Sequence, residues 1–323
     1  MQCSNRARAQ AVVGGAACAH DAAVPRNAPH PPPARARSPA AALSPHEQAL
    51  REALDGVRAR CKVEERRAAD PVEFVHRCED PEARELVALI ASSLAFGNVK
   101  ALRAKIADAL ARLGPDLARV ADDPAAVRAR LRGWKHRVYQ AGDLAGLVIG
   151  ARRVQRQAGS LGAALGAALS RTGDLREALS AWVRAIRRAG GLDRRGRGAD
   201  HLLPDPSKGS AAKRLLLLLR WMGRPADGVD LGAWPIPASA LLVPVDTHIH
   251  KLGYNIGLTD RRTASWKTAE EITAGLRRFD AADPVKYDFA LCHLGMLQRC
   301  PSRRDPARCE GCGVMPVCRH WRG

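Results

Sequence analysis

Residues 300–318 carry four cysteines, Cys300, Cys309, Cys312 and Cys318, spaced C-x8-C-x2-C-x5-C within nineteen residues. A cluster this tight, in a chain with no sign of export, reads as a ligand set. Four thiolates hold either a [4Fe–4S] cluster or a tetrahedral Zn2+. Zinc ribbons usually bring two C-x-x-C knuckles from separate turns. Here one such pair is flanked by unequal loops, which favours iron–sulfur over Zn2+. Free or disulfide-bonded cysteines are the remaining reading, and disulfides are rare in reducing compartments. The other five of the nine cysteines (Cys3, Cys18, Cys61, Cys78 and Cys292) are scattered and receive no role.

Two other stretches could do chemistry. Gly209-Ser-Ala-Ala-Lys213-Arg214 leads into a very apolar helix body. A helix start with free backbone N–H groups, plus Lys and Arg, suits a phosphate. An amphipathic core helix with a basic first turn explains the same residues. Val243-Pro-Val-Asp246-Thr-His248-Ile-His250 places a carboxylate at the amino side of a helix. An N-cap role for Asp246 therefore stands beside a functional one. His248 and His250 flank it, within reach of a phosphate or simply structural.

The elements that position these residues are helices. Among 323 residues the hydrophobic share is 46% and the aromatic share only 4%, with Ala, Leu and Arg dominant. Runs of Val and Ile of the strand type are scarce, so the expected class is all-α. Starts are expected at Ser44-Pro45, Asp70-Pro71, Asp80-Pro81 and Asp123-Pro124, with a stop at Gly97. A capping box at Thr268-x-x-Glu271 and a last long helix from Val285 to Arg299 lead into the cysteines. Residues 190–210 read as a basic loop and 223–242 as a Gly- and Pro-containing loop. Trp221, Trp234, Trp266 and Tyr254 could stack on a base, but such residues are more often core.

The formal net charge is +19, with only 33 acidic residues. Such a surface attracts polyanions, nucleic acid first among them. No stretch approaches the ~18 consecutive apolar residues of a membrane span, so a cytoplasmic chain with no membrane partner is expected. The expected organisation is a disordered basic tail over residues 1–44, a helical domain over 45–299 and a cysteine loop with the C-terminus over 300–323.

In its C-terminal third the chain resembles the endonuclease III branch of the helix–hairpin–helix DNA glycosylase superfamily. The segment Val245-Asp246-Thr247-His248 looks like the one carrying that superfamily's catalytic aspartate. The four cysteines look like its [4Fe–4S] loop, with the same x2 and x5 gaps and a first gap two residues shorter. Leu203-Pro204 followed by Gly209-Ser-Ala-Ala-Lys213 looks like a diverged hairpin. On the pattern Gly-x-Gly-x-Lys, Lys213 falls on the Schiff-base lysine and Ala211 replaces the second glycine. The whole chain more closely resembles a bacterial family of uncharacterised proteins with signatures like Leu219-Arg220-Trp221-Met222 and Asp246-Thr247-His248.

The resemblance implies a two-lobed helical fold and a monomer that binds double-stranded DNA. It implies base-excision glycosylase and/or abasic-site lyase activity, with Asp246 and Lys213 catalytic. It also implies nucleic-acid contacts from Gly209, Ser210, Arg214, His248, Arg303 and Arg304. A non-catalytic binder of DNA or structured RNA on the same scaffold is the alternative. Catalysis requires the 223–242 loop to fold back so that Lys213 and Asp246 can meet.

Overall fold

The computed structural model describes residues 42–322. The tail expected over residues 1–44 lies outside them except for its last three positions, as do Cys3 and Cys18. The described residues are helical, with one two-stranded hairpin among them, as the scarcity of Val and Ile runs implies.

The chain opens with α1 (Pro45–Ala59), where Ser44 and Glu47 close the reciprocal capping box. The short α2 (Val63–Ala69) and α3 (Val72–His76) follow. They lead to α4 (Pro81–Leu94), capped by Asp80 with Pro81 at its first position and buried along most of its length. Such a helix can only be central. It packs on α3, on α5 (Val99–Leu113) and on α6 (Leu117–Ala121). After α7 (Pro124–Arg130), strands β1 (Lys135–His136) and β2 (Tyr139–Gln140) pair antiparallel, with His136 opposite Tyr139.

Next come α8 (Ala141–Ala158), α9 (Leu161–Thr172) and α10 (Leu175–Gly190). Helices α8 and α10 approach closely because Gly146, Gly150 and Gly190 face one another. A β-carbon at Gly150 would run into the Ile186 carbonyl. The expected loop over residues 190–210 contains a helical turn at Leu192–Arg194, α11 (Arg197–Leu202) and another turn at Pro206–Lys208. The remaining helices are α12 (Lys213–Gly223), α13 (Thr247–Asn255), α14 (Trp266–Arg277), α15 (Asp288–Gln298) and α16 (Pro306–Cys309). Trp221, Trp234 and Trp266 are core residues.

Two local expectations need correction. Thr268 does not start α14. It sits one turn inside, and Ser265 is the N-cap, exchanging hydrogen bonds with Thr268. The last long helix begins at Asp288 rather than Val285. The Asp280 carboxylate accepts the Ala282 and Asp283 N–H groups, holding a turn just before it.

Two buried polar centres fix the chain's long loops. The Glu85 carboxylate, on α4, accepts the Leu161 N–H (2.7 Å) and Gly162 N–H (3.0 Å) at the start of α9. It also accepts the Trp234 indole N–H at 2.6 Å and the Gln155 amide at 2.7 Å. One carboxylate thus joins α4, α8, α9 and the 223–242 loop. The second centre surrounds Arg220 and Arg224 of α12. Arg220 donates to Asp230 (3.1 Å) and to Asp288. Arg224 donates to Asp230 (2.9 Å), Asp283 (2.9 Å) and Asp227. Backbone bonds from Leu231 to the Trp221 carbonyl and from Trp234 to the Met222 carbonyl, both 2.7 Å, lay the loop back along α12.

Buried donors deprived of their acceptor carry the full desolvation cost. Glu85→Ala strands four of them, so a loss of at least about 3 kcal/mol is expected. The check is urea unfolding, with a lowered midpoint at unchanged slope.

Candidate functional site

The folded-back loop delivers Asp246 to the amino end of α12. Lys213 Nζ lies 3.8 Å from Asp246 Oδ2, and both side chains keep some exposure (32% and 19%). The two oxygens of Asp246 divide the work. Oδ1 accepts the His248 N–H at 2.9 Å and the Ile249 N–H at 2.8 Å, capping α13. Oδ2 is left to face Lys213, and the Cys292 thiol donates to it at 3.5 Å. Capping and a chemical role are thus compatible in one residue.

Lys213 is the first residue of α12, which has no side-chain cap. The approach to it bends sharply: Gly209 has φ +86°, and Ala212 is left-handed at φ +49° although it is buried. A left-handed alanine costs on the order of 1–2 kcal/mol, a strain the surrounding packing must hold. Ser210 Oγ accepts the Ala212 N–H at 3.0 Å and so supports this turn. Gly209 is exposed beside it. The Arg214 guanidinium points inward. It donates to the Ser93 and His201 carbonyls and to the Tyr139 hydroxyl (2.6 Å), tying the end of α4, the hairpin and α11 to α12.

Sequence reasoning gave Cys292 and Asp288 no role. They lie four residues apart on α15, hence on one face, and that spacing was the available signal. Burial, together with the Asp246 and Asp288 charges, drives the Cys292 thiol well up from its ordinary range. Asp288 is pushed up to about 6 by burial, with Arg220 opposing and the Asp246 charge adding to the rise.

The four cysteines gather. All four line one cavity between α13, the end of α15 and the C-terminal turns. Successive turns wind this segment: the Cys312 N–H donates to the Cys309 carbonyl (3.0 Å) and the Cys318 N–H to the Met315 carbonyl (3.1 Å). The Arg319 N–H ties it back to the Asn255 carbonyl at 2.7 Å. The Asn255 amide donates to Cys300 Sγ at 3.3 Å. Burial pushes the Cys300 thiol up to about 11 and raises Cys312 and Cys318 as well. Metal loading must therefore displace protons from these thiols. The cavity's His320 Nε2 and Trp321 Nε1 are buried without a hydrogen-bond partner. Among the described residues no three His, Cys, Asp or Glu side chains converge on a single-ion geometry.

A family model described as "Protein of unknown function (DUF2400)" matches residues 70–297, more than two thirds of the chain. The chain belongs to the DUF2400 family. No curated protein and no solved structure matches it. The DUF2400 match contains Lys213, Asp246, Asp288 and Cys292, and it ends just before Cys300.

A basic concavity is lined by Lys251, inside the DUF2400 match, and by Arg299, Arg303, Arg304 and Arg308 beyond it. Arg303 is exposed, and the Arg304 guanidinium stacks over Trp321 at 4.2 Å. His248 is half-buried against Gly295, and His250 bonds the Arg261 carbonyl at 2.9 Å. No helix among the described residues is long and apolar enough to cross a membrane.

Removing the N-cap costs about 1 kcal/mol. Asp246→Ala is expected to lose that much, whereas Asp246→Asn keeps an accepting oxygen and loses a few tenths at most. Paired urea unfolding curves check this, and they separate stability from any loss of activity.

Proposed function

We propose that this chain is a DNA-binding, repair-type enzyme, a base-excision DNA glycosylase and/or abasic-site lyase, that works through Lys213 and Asp246 on a fold of the helix–hairpin–helix glycosylase type. The observation that carries the reading is the 3.8 Å approach of Lys213 Nζ to Asp246 Oδ2 across a long intervening loop. The resemblance of the segments around both residues supports it, as does the charge of +19.

A base in a duplex must leave the stack before its glycosidic bond can be reached. The Lys213 amine attacks the sugar C1′ carbon. The C1′ bond to the base (or, at an abasic site, to the hydroxyl) breaks and the departing group takes a proton. The amine sheds its own protons as the C1′–O4′ ring bond breaks, O4′ takes a proton, and a Schiff base forms. Loss of the 2′ proton then expels the 3′ phosphate. Asp246 Oδ2 receives a proton from the attacking amine and faces the positive charge that develops at the sugar. The partial exposure of both side chains leaves the pair open to substrate.

On this reading Cys300, Cys309, Cys312 and Cys318 would hold a [4Fe–4S] cluster, with Zn2+ as the alternative. The four surrounding thiols, the Asn255 donor and the apolar walls support this. A cluster there supplies structure rather than a chemical step. The protein around it presents Arg303, Arg304 and Arg308 to phosphates. A second reading is a non-catalytic binder of DNA or structured RNA. It is favoured by Ala211, whose β-carbon stands where the superfamily pattern has glycine for a close phosphate approach.

Borohydride trapping on a duplex with one abasic site tests the proposal, using native, Lys213→Ala and Asp246→Asn proteins with equal metal content. An adduct formed by native protein, absent from Lys213→Ala and slowed on the order of 10²-fold in Asp246→Asn, is expected. Equal adducts in all three, or none, remove Lys213 as nucleophile and leave a water-using glycosylase centred on Asp246 or the binder. A brown, iron-containing preparation is expected, and a colourless, zinc-containing one assigns the cavity to Zn2+.

A further inference from the structure

Behind the Lys213–Asp246 pair, α15 presents Asp288 and Cys292 one turn apart. The Cys292 thiol donates to the same Asp246 oxygen that faces Lys213. Asp288 is 3% exposed. One of its oxygens is taken by Arg220, and the other, Oδ1, has no hydrogen-bond partner. Buried polar atoms are nearly always paired, so a buried carboxylate with an open oxygen calls for an explanation. A proton held on that oxygen supplies one, since a buried carboxyl neutralises more cheaply than it stays charged.

The groups around Asp288 come from every element packed on it. Arg220 reaches it from α12, and Asp230 from the folded-back loop shares that guanidinium. The Asp246 charge acts on it from the amino end of α13. Lys213 and Asp70 act on the same pocket at Cys292, and His293 follows Cys292 on α15. Arg220 favours the ionised form, whereas Asp230 and Asp246 oppose it. The balance leaves Asp288 neutral below about 6 and charged above, a value lifted by burial first. Ionisation adds a second negative charge near Asp246, and the Cys292 thiol, bonded to Asp246 and one turn from Asp288, responds to both.

We propose that Asp288 is a positioning residue of the Lys213–Asp246 pair: a second carboxyl that, through Cys292 and its own charge, sets how Asp246 Oδ2 is held against Lys213. The assignment rests on the reading of that pair as the reacting centre.

The S–H stretching band of Cys292, assigned by its loss in Cys292→Ala, reports the bond to Asp246 with no substrate present. In native protein this infrared band is expected to shift as pH rises through about 6. The shift is lost in Asp288→Asn. It survives in Asp230→Asn, which removes a buried acidic partner of Arg220 but lies off the Cys292 bridge, with its midpoint moved down because the Asp230 charge no longer opposes ionisation of Asp288. Borohydride trapping is expected to change rate across that pH range in native protein and across a lower one in Asp230→Asn, and to be flat through both in Asp288→Asn.

An S–H shift that persists in Asp288→Asn, or that Asp230→Asn abolishes equally, overturns the proposal. Should Asp288→Asn not fold, Asp288→Glu keeps an acid and is expected to move the midpoint, and an unmoved midpoint has the same force. A normal S–H titration in a protein that traps no abasic site leaves the coupling standing and sinks the lyase reading instead.

Discussion

The rest of the structure depends on two arginines buried in α12. Taking a charge out of water costs several kcal/mol, and an ion pair recovers this only with good geometry and with every remaining donor satisfied. Arg220 and Arg224 meet that demand by collecting carboxylates from distant parts of the chain: Asp227 and Asp230 in the loop, Asp283 before α15 and Asp288 within it. Nothing local compels residues 224–242 to turn back along α12. The two guanidiniums do, since any other path leaves charges buried and alone. Such a network adds little net stability over a hydrophobic replacement. Its effect here is specification, because one loop path satisfies it.

That path is what makes a site. Lys213 and Asp246 are joined by a loop whose length gave reason to doubt their meeting, and the ion network anchors the loop at its start. At the far end, Asp246 is committed by the α13 cap, which fixes one oxygen and leaves the other free. The same geometry draws in α15, because Asp288 belongs both to the Arg220 network and to the surroundings of Asp246. The scaffold and the site therefore share a residue. A change at Arg220 alters the charge balance behind Asp246 as well as the fold, and effects of mutations here will not add.

How much of this was legible in the sequence follows from how local each signal is. Helix starts at Ser44, Asp80 and Asp123 were readable because the cap, the following proline and the first turn lie within four residues. Thr268 was misjudged because Ser265, three residues earlier, competes for the same cap and Trp266 is already helical. The cysteine cavity was readable from spacing alone. For Asp288 and Cys292 the four-residue spacing marked only a shared face of an apolar helix, and what that face meets appears only once α13 is packed against it. Arg214 shows the opposite failure. Its place beside Lys213 suggested a phosphate contact, yet neighbours on a helix point apart, and its guanidinium went to the Ser93 and His201 carbonyls.

The division between α12 and the cysteine segment has a physical logic. The Lys213–Asp246 pair is held by charge and capping contacts made entirely within residues that need no metal. The thiols of Cys300, Cys312 and Cys318, by contrast, are raised by burial, so any metal held there must displace their protons. The C-terminal turns that carry Arg303, Arg304 and Arg308 close on that cavity and are tied back to the end of α13 by Asn255. On the proposed reading the basic face depends on the cluster, whereas the pair does not. On the proposed reading, a chain without the cluster keeps the geometry of Lys213 and Asp246 and loses the basic surface, so binding fails before chemistry does.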